Sequence, residues 1–156
     1  MTENGSTQAV IALGSNLGDR EKTLNQALAI LNQTERIRVI CHSRWLETKP
    51  IGPPQPDYLN GCAIIETTLT PQQLLDTLLT IERRFGRVRK ERWGARTLDL
   101  DIIFYGELVL DTPRLQIPHP RMRERSFVLI PLVEIAPHWR DPVTKITVEE
   151  LLARLA

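Results

Sequence analysis

The sequence GRVRKERWGARTLDLDII, residues 86–103, joins a basic loop to a segment with the character of a β-strand. The loop holds four Arg, one Lys and Trp93, and the strand-like segment carries Asp99 and Asp101. Because residues two apart on a strand point to the same face, the two carboxylates are expected side by side. Such carboxylates repel each other unless a cation lies between them. Mg²⁺ suits this pair, since it binds few protein oxygens and completes its shell with water and phosphate oxygens.

Two interpretations of this run are open. In the first, the Arg side chains neutralise the outer oxygens of a nucleotide's phosphates while the metal bridges the inner ones, as phosphoryl transfer requires. Arg outnumbers Lys in the loop, which favours planar, bidentate phosphate contacts. In the second, the loop is solvated and the Asp residues point outward from an edge strand. The run alone does not decide between them.

The rest of the chain alternates strand and helix patterns. Residues 9–13 predict a short apolar strand, and the following helix has apolar residues at i, i+3, i+4 and i+7, namely Leu24, Ala27, Leu28 and Leu31. Further strands are expected at residues 36–43, 44–47, 61–69 and 98–105. Residues 50–56, with four prolines and a glycine, predict an extended loop.

The second helix has clear boundaries in the sequence. Thr70 and Pro71 predict an N-cap followed by a first-turn proline, and Gly86 predicts the end of the helix. After Gly106, residues 108–110 are expected to pair back, residues 122–134 to be partly helical, and residues 147–155 to form a last short helix. This order predicts the α+β class, with helices packed on a mostly antiparallel sheet, in one domain over residues 1–156.

Composition is consistent with a cytoplasmic enzyme. The chain has 156 residues, 42% of them apolar, and a net charge of +1, which argues against a protein that binds polyanions with its whole surface. The beginning of the sequence has no signal or transit pattern, and no apolar run is long enough to span a membrane. Cys41 and Cys62 are expected to be reduced thiols.

Five motifs occur in one order: ALGSNLGD from residue 12, TKPIGPPQPDYLN from 48, GRVRKERWG from 86, RTLDLDI from 96 and IPHPRMRERSFVLIPL from 117. Together they resemble the 6-hydroxymethyl-7,8-dihydropterin pyrophosphokinase family of the folate pathway, over about residues 10–137. The resemblance implies a ferredoxin-like core and transfer of diphosphate from ATP to the pterin's hydroxymethyl group, with release of AMP. It also implies two Mg²⁺ ions and ATP as co-substrate. We expect a monomer that binds small molecules and neither nucleic acid nor membrane.

The resemblance also assigns roles to residues. Those expected to act on the transferring phosphates, the last two through the metal, are Arg87, Arg96, Asp99 and Asp101. Those expected on the nucleotide side are Glu82, Arg89, Trp93, Ile102, Arg114, Gln116, His119 and Arg125. Those expected at the pterin are Thr48, Pro50 and Ile51 through their backbone, Tyr58 and Phe127 by stacking, and Asn60 at the heterocycle's edge.

Several of these residues have plainer interpretations. Tyr58 and Asn60, taken alone, indicate a surface aromatic and a turn, although a ring beside an amide also suits a flat heterocycle. Glu82 falls on the apolar stripe of its helix and is otherwise explained by an ion pair with a neighbouring Arg. His119 suits donation to a phosphate better than general base catalysis, and a lone His is often structural. Gly14 and its neighbours are interpreted as a turn and scaffold rather than a phosphate-binding loop.

The sequence departs from the family pattern at four places. The basic loop is one residue shorter and has Ala95 where proline is common, Lys49 stands in place of a second proline, and Gln116 and Pro120 differ at the adenosine end. Two other classes of function predict different sequence features. An RNA-binding module predicts adjacent aromatic residues on central strands, which the sequence lacks. A small regulatory ligand-binding domain gives the Arg loop no role.

Overall fold

The computed structural model describes residues 5–49, 57–86 and 98–155. Its first half contains β1 (Thr7–Ser15), α1 (Arg20–Gln33), β2 (Ile37–His42), β3 (Leu46–Thr48), β4 (Tyr58–Thr67) and α2 (Pro71–Arg84). Its second half contains β5 (Asp99–Tyr105), β6 (Leu110–Asp111), β7 (Gln116–Ile117), a 3₁₀ turn (Met122–Glu124), α3 (Ser126–Ile135) and α4 (Val148–Ala153).

The main sheet has the strand order β2–β4–β1–β5, and β3 adds to β4 beside the end of β2. Every pairing in this sheet is antiparallel. Without β3, the order of elements is βαββαβ, which is the ferredoxin-like arrangement. The predicted α+β fold with a mostly antiparallel sheet is therefore confirmed.

Helices cover both faces of the sheet. Leu13 of β1 and Ile65 of β4 pack with α1 and α2 on one face, where the predicted stripe of α1 is buried. Val10 and Ile64 belong to a second cluster, on the other face, which is covered by α3 and α4. In β5 two consecutive residues, Ile103 and Phe104, join this second cluster because a bulge interrupts the regular alternation at the Val10–Ile11 level of β1.

Helix α2 begins and ends where its sequence predicts. Thr70 is the N-cap, and its hydroxyl accepts a hydrogen bond from the N–H of Gln73 while the Gln73 side chain accepts one from the N–H of Thr70. This reciprocal pair satisfies two backbone donors that the first turn leaves free. Gly86, at φ +73°, follows the last turn in a backbone conformation that glycine adopts without strain.

One local prediction is wrong and another is confirmed. Residues 108–110 do not pair back on β5; Leu110 begins β6, which pairs with β7 in a separate two-stranded sheet. Residues 122–134 are partly helical, as predicted, with a 3₁₀ turn at Met122–Glu124 followed by α3 from Ser126 to Ile135. In the described part of the chain no helix combines the length and the apolar character that crossing a membrane requires.

Candidate active site

The floor of the site is formed by small residues of β1, which lie between polar residues of the neighbouring strands β4 and β5. Gly14 is paired with Asn60 of β4 on one side and with Asp99 of β5 on the other. Ala12, on the same face, is paired with Asp101. Since adjacent strands lie roughly 4.8 Å apart, Asn60 and Asp99 are separated by roughly 10 Å across an open surface.

A cavity of about 220 Å³ lies over this floor, on the sheet face that α3 covers. Eight of the predicted site residues line this cavity: Thr48, Tyr58, Asn60, Asp99, Asp101, His119, Arg125 and Phe127. These residues come from β3, β4, β5, α3 and the segment before α3. The fold thus places four of the predicted pterin contacts, the carboxylate pair and two nucleotide-side residues around one space.

Tyr58 and Asn60 lie on β4, which begins three residues earlier than predicted, so neither belongs to a turn. The amide nitrogen of Asn60 donates a hydrogen bond of 2.7 Å to the Thr48 hydroxyl, which fixes the amide's orientation. A Cβ added at Gly14 would lie 2.8 Å from Asn60 Oδ1, closer than such contacts occur. The observed position of Asn60 therefore requires glycine at residue 14. The sequence predicted a scaffold role for Gly14 but not this contact.

The start of β4 is held by a residue that sequence reasoning missed. Arg20, the first residue of α1, donates a hydrogen bond of 2.6 Å from Nη1 to the backbone carbonyl of Asp57. Its Nη2 lies 3.3 Å from Glu47 Oε2 on β3. Arg20 therefore links α1 to the two strands that carry Thr48 and Tyr58. No local pattern in the sequence marks this contact, because the partners are 27 and 37 residues away.

Phe127 and Arg125 form the opposite wall at the beginning of α3. The Arg125 guanidinium carbon lies 5.5 Å from the centroid of the Phe127 ring, which is cation–π geometry. Both side chains line the cavity. The contact places Phe127, expected at the pterin, next to Arg125, expected on the nucleotide side.

His119 contributes a defined hydrogen-bond donor. Its Nδ1 accepts a hydrogen bond of 3.2 Å from the N–H of Arg121, so the neutral ring carries its proton on Nε2. Burial, together with the positive charges of Arg125 and Arg121, lowers the pKa of His119 from 6.5 to about 4. The imidazole is consequently neutral at physiological pH and is suited to donate a hydrogen bond to an anion.

Asp99 and Asp101 lie on one face of β5, as their spacing predicted, and both line the cavity. Within the described residues, no group of three or more His, Cys, Asp and Glu side chains is placed to hold a metal. Two carboxylates at the edge of an open cavity match the needs of Mg²⁺, which takes one or two protein carboxylates and the remaining oxygens from phosphate and water.

Glu82 lies beneath this pair. Only 4% of Glu82 is exposed, and its Oε2 accepts a hydrogen bond of 2.7 Å from the backbone N–H of Leu100, the residue between Asp99 and Asp101. Glu82 does not line the cavity, and the structure links it to the backbone of β5.

Three other nucleotide-side candidates do not line the cavity. Ile102 is buried in the cluster with α2, Arg114 forms an ion pair with Asp76 of α2, and Gln116 on β7 donates a hydrogen bond of 3.1 Å to Asp111. Their role as nucleotide contacts stays a prediction. The predicted residues outside the described part of the chain are Pro50, Ile51, Arg87, Arg89, Trp93 and Arg96.

The sheet order, the helices on both faces and the cavity define a ferredoxin-like α+β protein with a carboxylate pair, aromatic rings and cations around one cleft. A family model described as 7,8-dihydro-6-hydroxymethylpterin-pyrophosphokinase (HPPK) matches residues 10–137. The chain belongs to this family.

Curated relatives agree with this membership. The chain is 50% identical over 147 residues to the 2-amino-4-hydroxy-6-hydroxymethyldihydropteridine pyrophosphokinase of Synechocystis sp., covering 94% of this chain and 75% of that one. It is 47% identical over 142 residues to the protein of the same name from Haemophilus influenzae, covering 90% and 89% of the two chains.

Solved structures agree in fold. The crystal structure of wild-type Plasmodium falciparum HPPK-DHPS with pteroate matches 99% of this chain with a TM-score of 0.78, at 15% sequence identity. This chain spans 43% of the length of that one. At this level of identity the likeness supports the fold.

Proposed function

We propose that this chain transfers diphosphate from ATP to the hydroxymethyl oxygen of 6-hydroxymethyl-7,8-dihydropterin and releases AMP, as a transferase of folate biosynthesis. The observation that carries the proposal is the grouping of Tyr58, Asn60 and Phe127 with Asp99 and Asp101 around one cavity. A flat heterocycle and a metal-bound triphosphate can then meet in the same space.

The heterocycle is held on the β4 side. Tyr58 and Phe127 supply aromatic faces for stacking, and Asn60 offers hydrogen bonds to the heterocycle's edge from an amide that Thr48 orients. Since Asn60 and Asp99 are two strands apart, a ring anchored at Asn60 can extend its hydroxymethyl group over Gly14 towards β5. This arrangement brings the attacking oxygen close to the carboxylates without a long-range movement of the sheet.

The carboxylates hold the metal side. Asp99 and Asp101 are proposed to bind Mg²⁺, two ions in all; when bound, the metal neutralises the triphosphate and lowers the pKa of the attacking hydroxyl. Pairing with β1 and the Glu82 hydrogen bond at Leu100 hold the backbone that carries Asp99 and Asp101.

Cationic and neutral donors complete the phosphate side. His119 donates from Nε2 and Arg125 supplies a fixed positive charge, so both can stabilise the charge that develops on the phosphate oxygens. His119 is a poor general base, because its pKa is about 4. Catalysis then depends on position and charge, with Arg87 and Arg96 acting on the transferring phosphates and Arg89 and Trp93 holding the nucleotide.

The bond changes are those of a direct displacement. The hydroxymethyl oxygen forms a bond to the β-phosphorus of ATP, and the bond from that phosphorus to the bridging α–β oxygen breaks. The bridging oxygen leaves with AMP, and the pterin retains both the β- and the γ-phosphoryl groups. The hydroxyl proton leaves to solvent.

The remaining expectations concern the protein as a whole. A single pyrophosphokinase domain over residues 1–156, a monomer and a location in the cytoplasm stay predictions from the sequence. An RNA-binding role is less well supported, because RNA-binding modules of this fold stack bases on an open sheet face. Both faces of the described sheet are packed against helices.

The experiment mixes the protein with ATP, Mg²⁺ and 6-hydroxymethyl-7,8-dihydropterin, and separates the nucleotides by chromatography. The proposal expects AMP in a one-to-one ratio with pterin diphosphate. ADP with a pterin monophosphate would identify an ordinary kinase. No pterin-dependent turnover, together with salt-sensitive binding to single-stranded RNA, would favour the RNA-binding alternative.

A further inference from the structure

The wall that carries His119 and Arg125 has little regular structure of its own. Between β7 and α3 it contains only the 3₁₀ turn of three residues, which has no side-chain cap. His119 is tied to the sheet by a hydrogen bond of 3.0 Å from its N–H to the carbonyl of Ile103, and Met122 is buried. The position of the wall beyond Met122 therefore depends on tertiary contacts.

The main polar contact of this wall is made by Arg123. Its Nε and Nη2 both donate to the carboxylate of Asp141, the second at 2.9 Å to Oδ1. Asp141 is fully buried and also accepts hydrogen bonds from the Val143 N–H at 3.0 Å and the Thr144 hydroxyl at 2.9 Å. Burial alone would raise the pKa of Asp141, but these hydrogen bonds outweigh it and lower the pKa below its usual 3.8.

The loop that carries Asp141 is itself firmly held. The Asp141 N–H donates to the carbonyl of Ile146 at 2.9 Å, and the Lys145 N–H donates to the carbonyl of Asp141 at 2.8 Å. Just before it, Trp139 stacks on Phe104 of β5, with ring centroids 5.7 Å apart and 14° between the planes. Asp141 is therefore connected to β5, the same strand that carries the carboxylate pair.

We propose that the Arg123–Asp141 ion pair is a positioning device that sets where Arg125 faces the cavity, beyond the part of the wall that the His119–Ile103 hydrogen bond holds. The inference rests on the proposed function, since it concerns the nucleotide side of that site. Arg123 does not line the cavity, and the carboxylate of Asp141 engages two of its three guanidinium nitrogens, so it acts through its neighbours rather than on phosphate. Asp141 lies beyond residue 137, where the match to the family model ends.

The pair's position beside Arg125 predicts a selective effect. Arg125, two residues after Arg123, is a nucleotide-side residue, whereas the pterin contacts Tyr58 and Asn60 belong to β4 and Phe127 belongs to α3, where it packs against the second cluster. Loss of the pair should therefore weaken MgATP much more than pterin. Misplacement of charge-bearing groups by about 1 Å can cost about 10²-fold in rate.

The test compares Arg123→Met, Arg123→Lys and Asp141→Asn with the wild type. Binding of MgATP and of pterin is measured separately by titration calorimetry, and kcat and both KM values are measured well below each variant's thermal midpoint. Arg123→Met and Asp141→Asn should raise the MgATP Kd by about tenfold or more, equivalent to losing one charge-assisted contact, with a change of less than about threefold for pterin. Arg123→Lys, which keeps the charge and loses the bidentate geometry, should be intermediate.

The matched control is Arg38→Met, which removes an Arg–carboxylate pair with Glu66 at an exposed position. It should leave both affinities unchanged. Lower thermal midpoints with unaltered MgATP affinity and kcat would overturn the proposal, as would equal losses for MgATP and pterin. Failure of all three variants to fold would make the pair a requirement of the fold and would also overturn it. Wild-type protein that binds MgATP but forms no AMP would contradict the proposed function and leave this binding test intact.

Discussion

The backbone N–H of Leu100 donates a hydrogen bond to Glu82 Oε2, with 2.7 Å between the two atoms. Leu100 separates Asp99 from Asp101, and on its other side β5 is paired with β1. A buried carboxylate from α2 thus takes the place of a neighbouring strand at this point of the sheet's edge. The charged residue on the apolar stripe of α2 is explained by this contact.

Glu82 should therefore influence the metal site without touching the metal. Glu82→Ala is expected to raise the Mg²⁺ concentration for half-maximal activity by about 10- to 100-fold, the usual cost of losing a partner that orients a metal ligand. Glu82→Gln keeps an acceptor for the Leu100 N–H and should have a smaller effect. A Mg²⁺ titration of initial rates checks this. An unaltered Mg²⁺ dependence in Glu82→Ala would show that the hydrogen bond serves only the fold.

Asp99→Ala and Asp101→Ala should each reduce turnover by about 10³-fold or more, because a bound metal supplies several kcal/mol of transition-state stabilisation. Asp101 is exposed, so its variant should keep its fold and most of its pterin affinity. Glu107→Ala, an exposed carboxylate just beyond the other end of β5, is the control and should retain full activity. Near-normal Mg²⁺-dependent turnover in either Asp variant would refute the assignment of the metal site.

Gly14→Ala should weaken pterin binding by about five- to tenfold, since the new methyl group displaces the Asn60 amide and costs about one hydrogen bond. The double variant Gly14→Ala/Asn60→Ala provides the control. In the Asn60→Ala background the methyl group has no amide to displace, so it should cause no further loss. Equal losses in the two backgrounds would mean that Gly14 acts on the pterin by another route.

His119 should make stability depend on pH. Its pKa is about 4 in the folded protein and about 6.5 when unfolded, so the unfolded chain binds more protons between these values. The free energy of unfolding should therefore fall as pH decreases from 6.5 to 4. In His119→Gln this component is absent, and its stability relative to wild type should improve over that interval. Denaturant unfolding at several pH values measures this, and a constant difference between the two proteins would contradict it.

The local elements that the sequence predicted well are those with their own boundary signals. Thr70, Pro71 and Gly86 fixed the ends of α2 because caps act within one turn of the helix. Asp99 and Asp101 were placed on one face because side chains on a strand alternate. The five motifs predicted the family correctly, and the fold followed from it.

Other features depend on contacts between distant parts of the chain. Strands β6 and β7 have two residues each. This length is too short for an alternating pattern, so the sequence does not predict their pairing. Helix α3 is almost entirely apolar and contains Pro131, so periodicity could not locate its start. Arg123 and Asp141 are 18 residues apart in irregular segments, and no spacing rule connects them. The sequence therefore predicted which residues line the cavity better than the contacts that support them.

The proposed transfer requires that the β-phosphorus of ATP is the atom attacked. A single-turnover reaction with ATP labelled with ³²P at the β-phosphorus tests it most directly, because that atom has a different fate in each type of transfer. Attack at the β-phosphorus predicts that the label is recovered in the pterin product, with unlabelled AMP formed at the same rate. Label that remains with the adenosine, as ADP, would show that the γ-phosphorus is attacked and would refute diphosphate transfer.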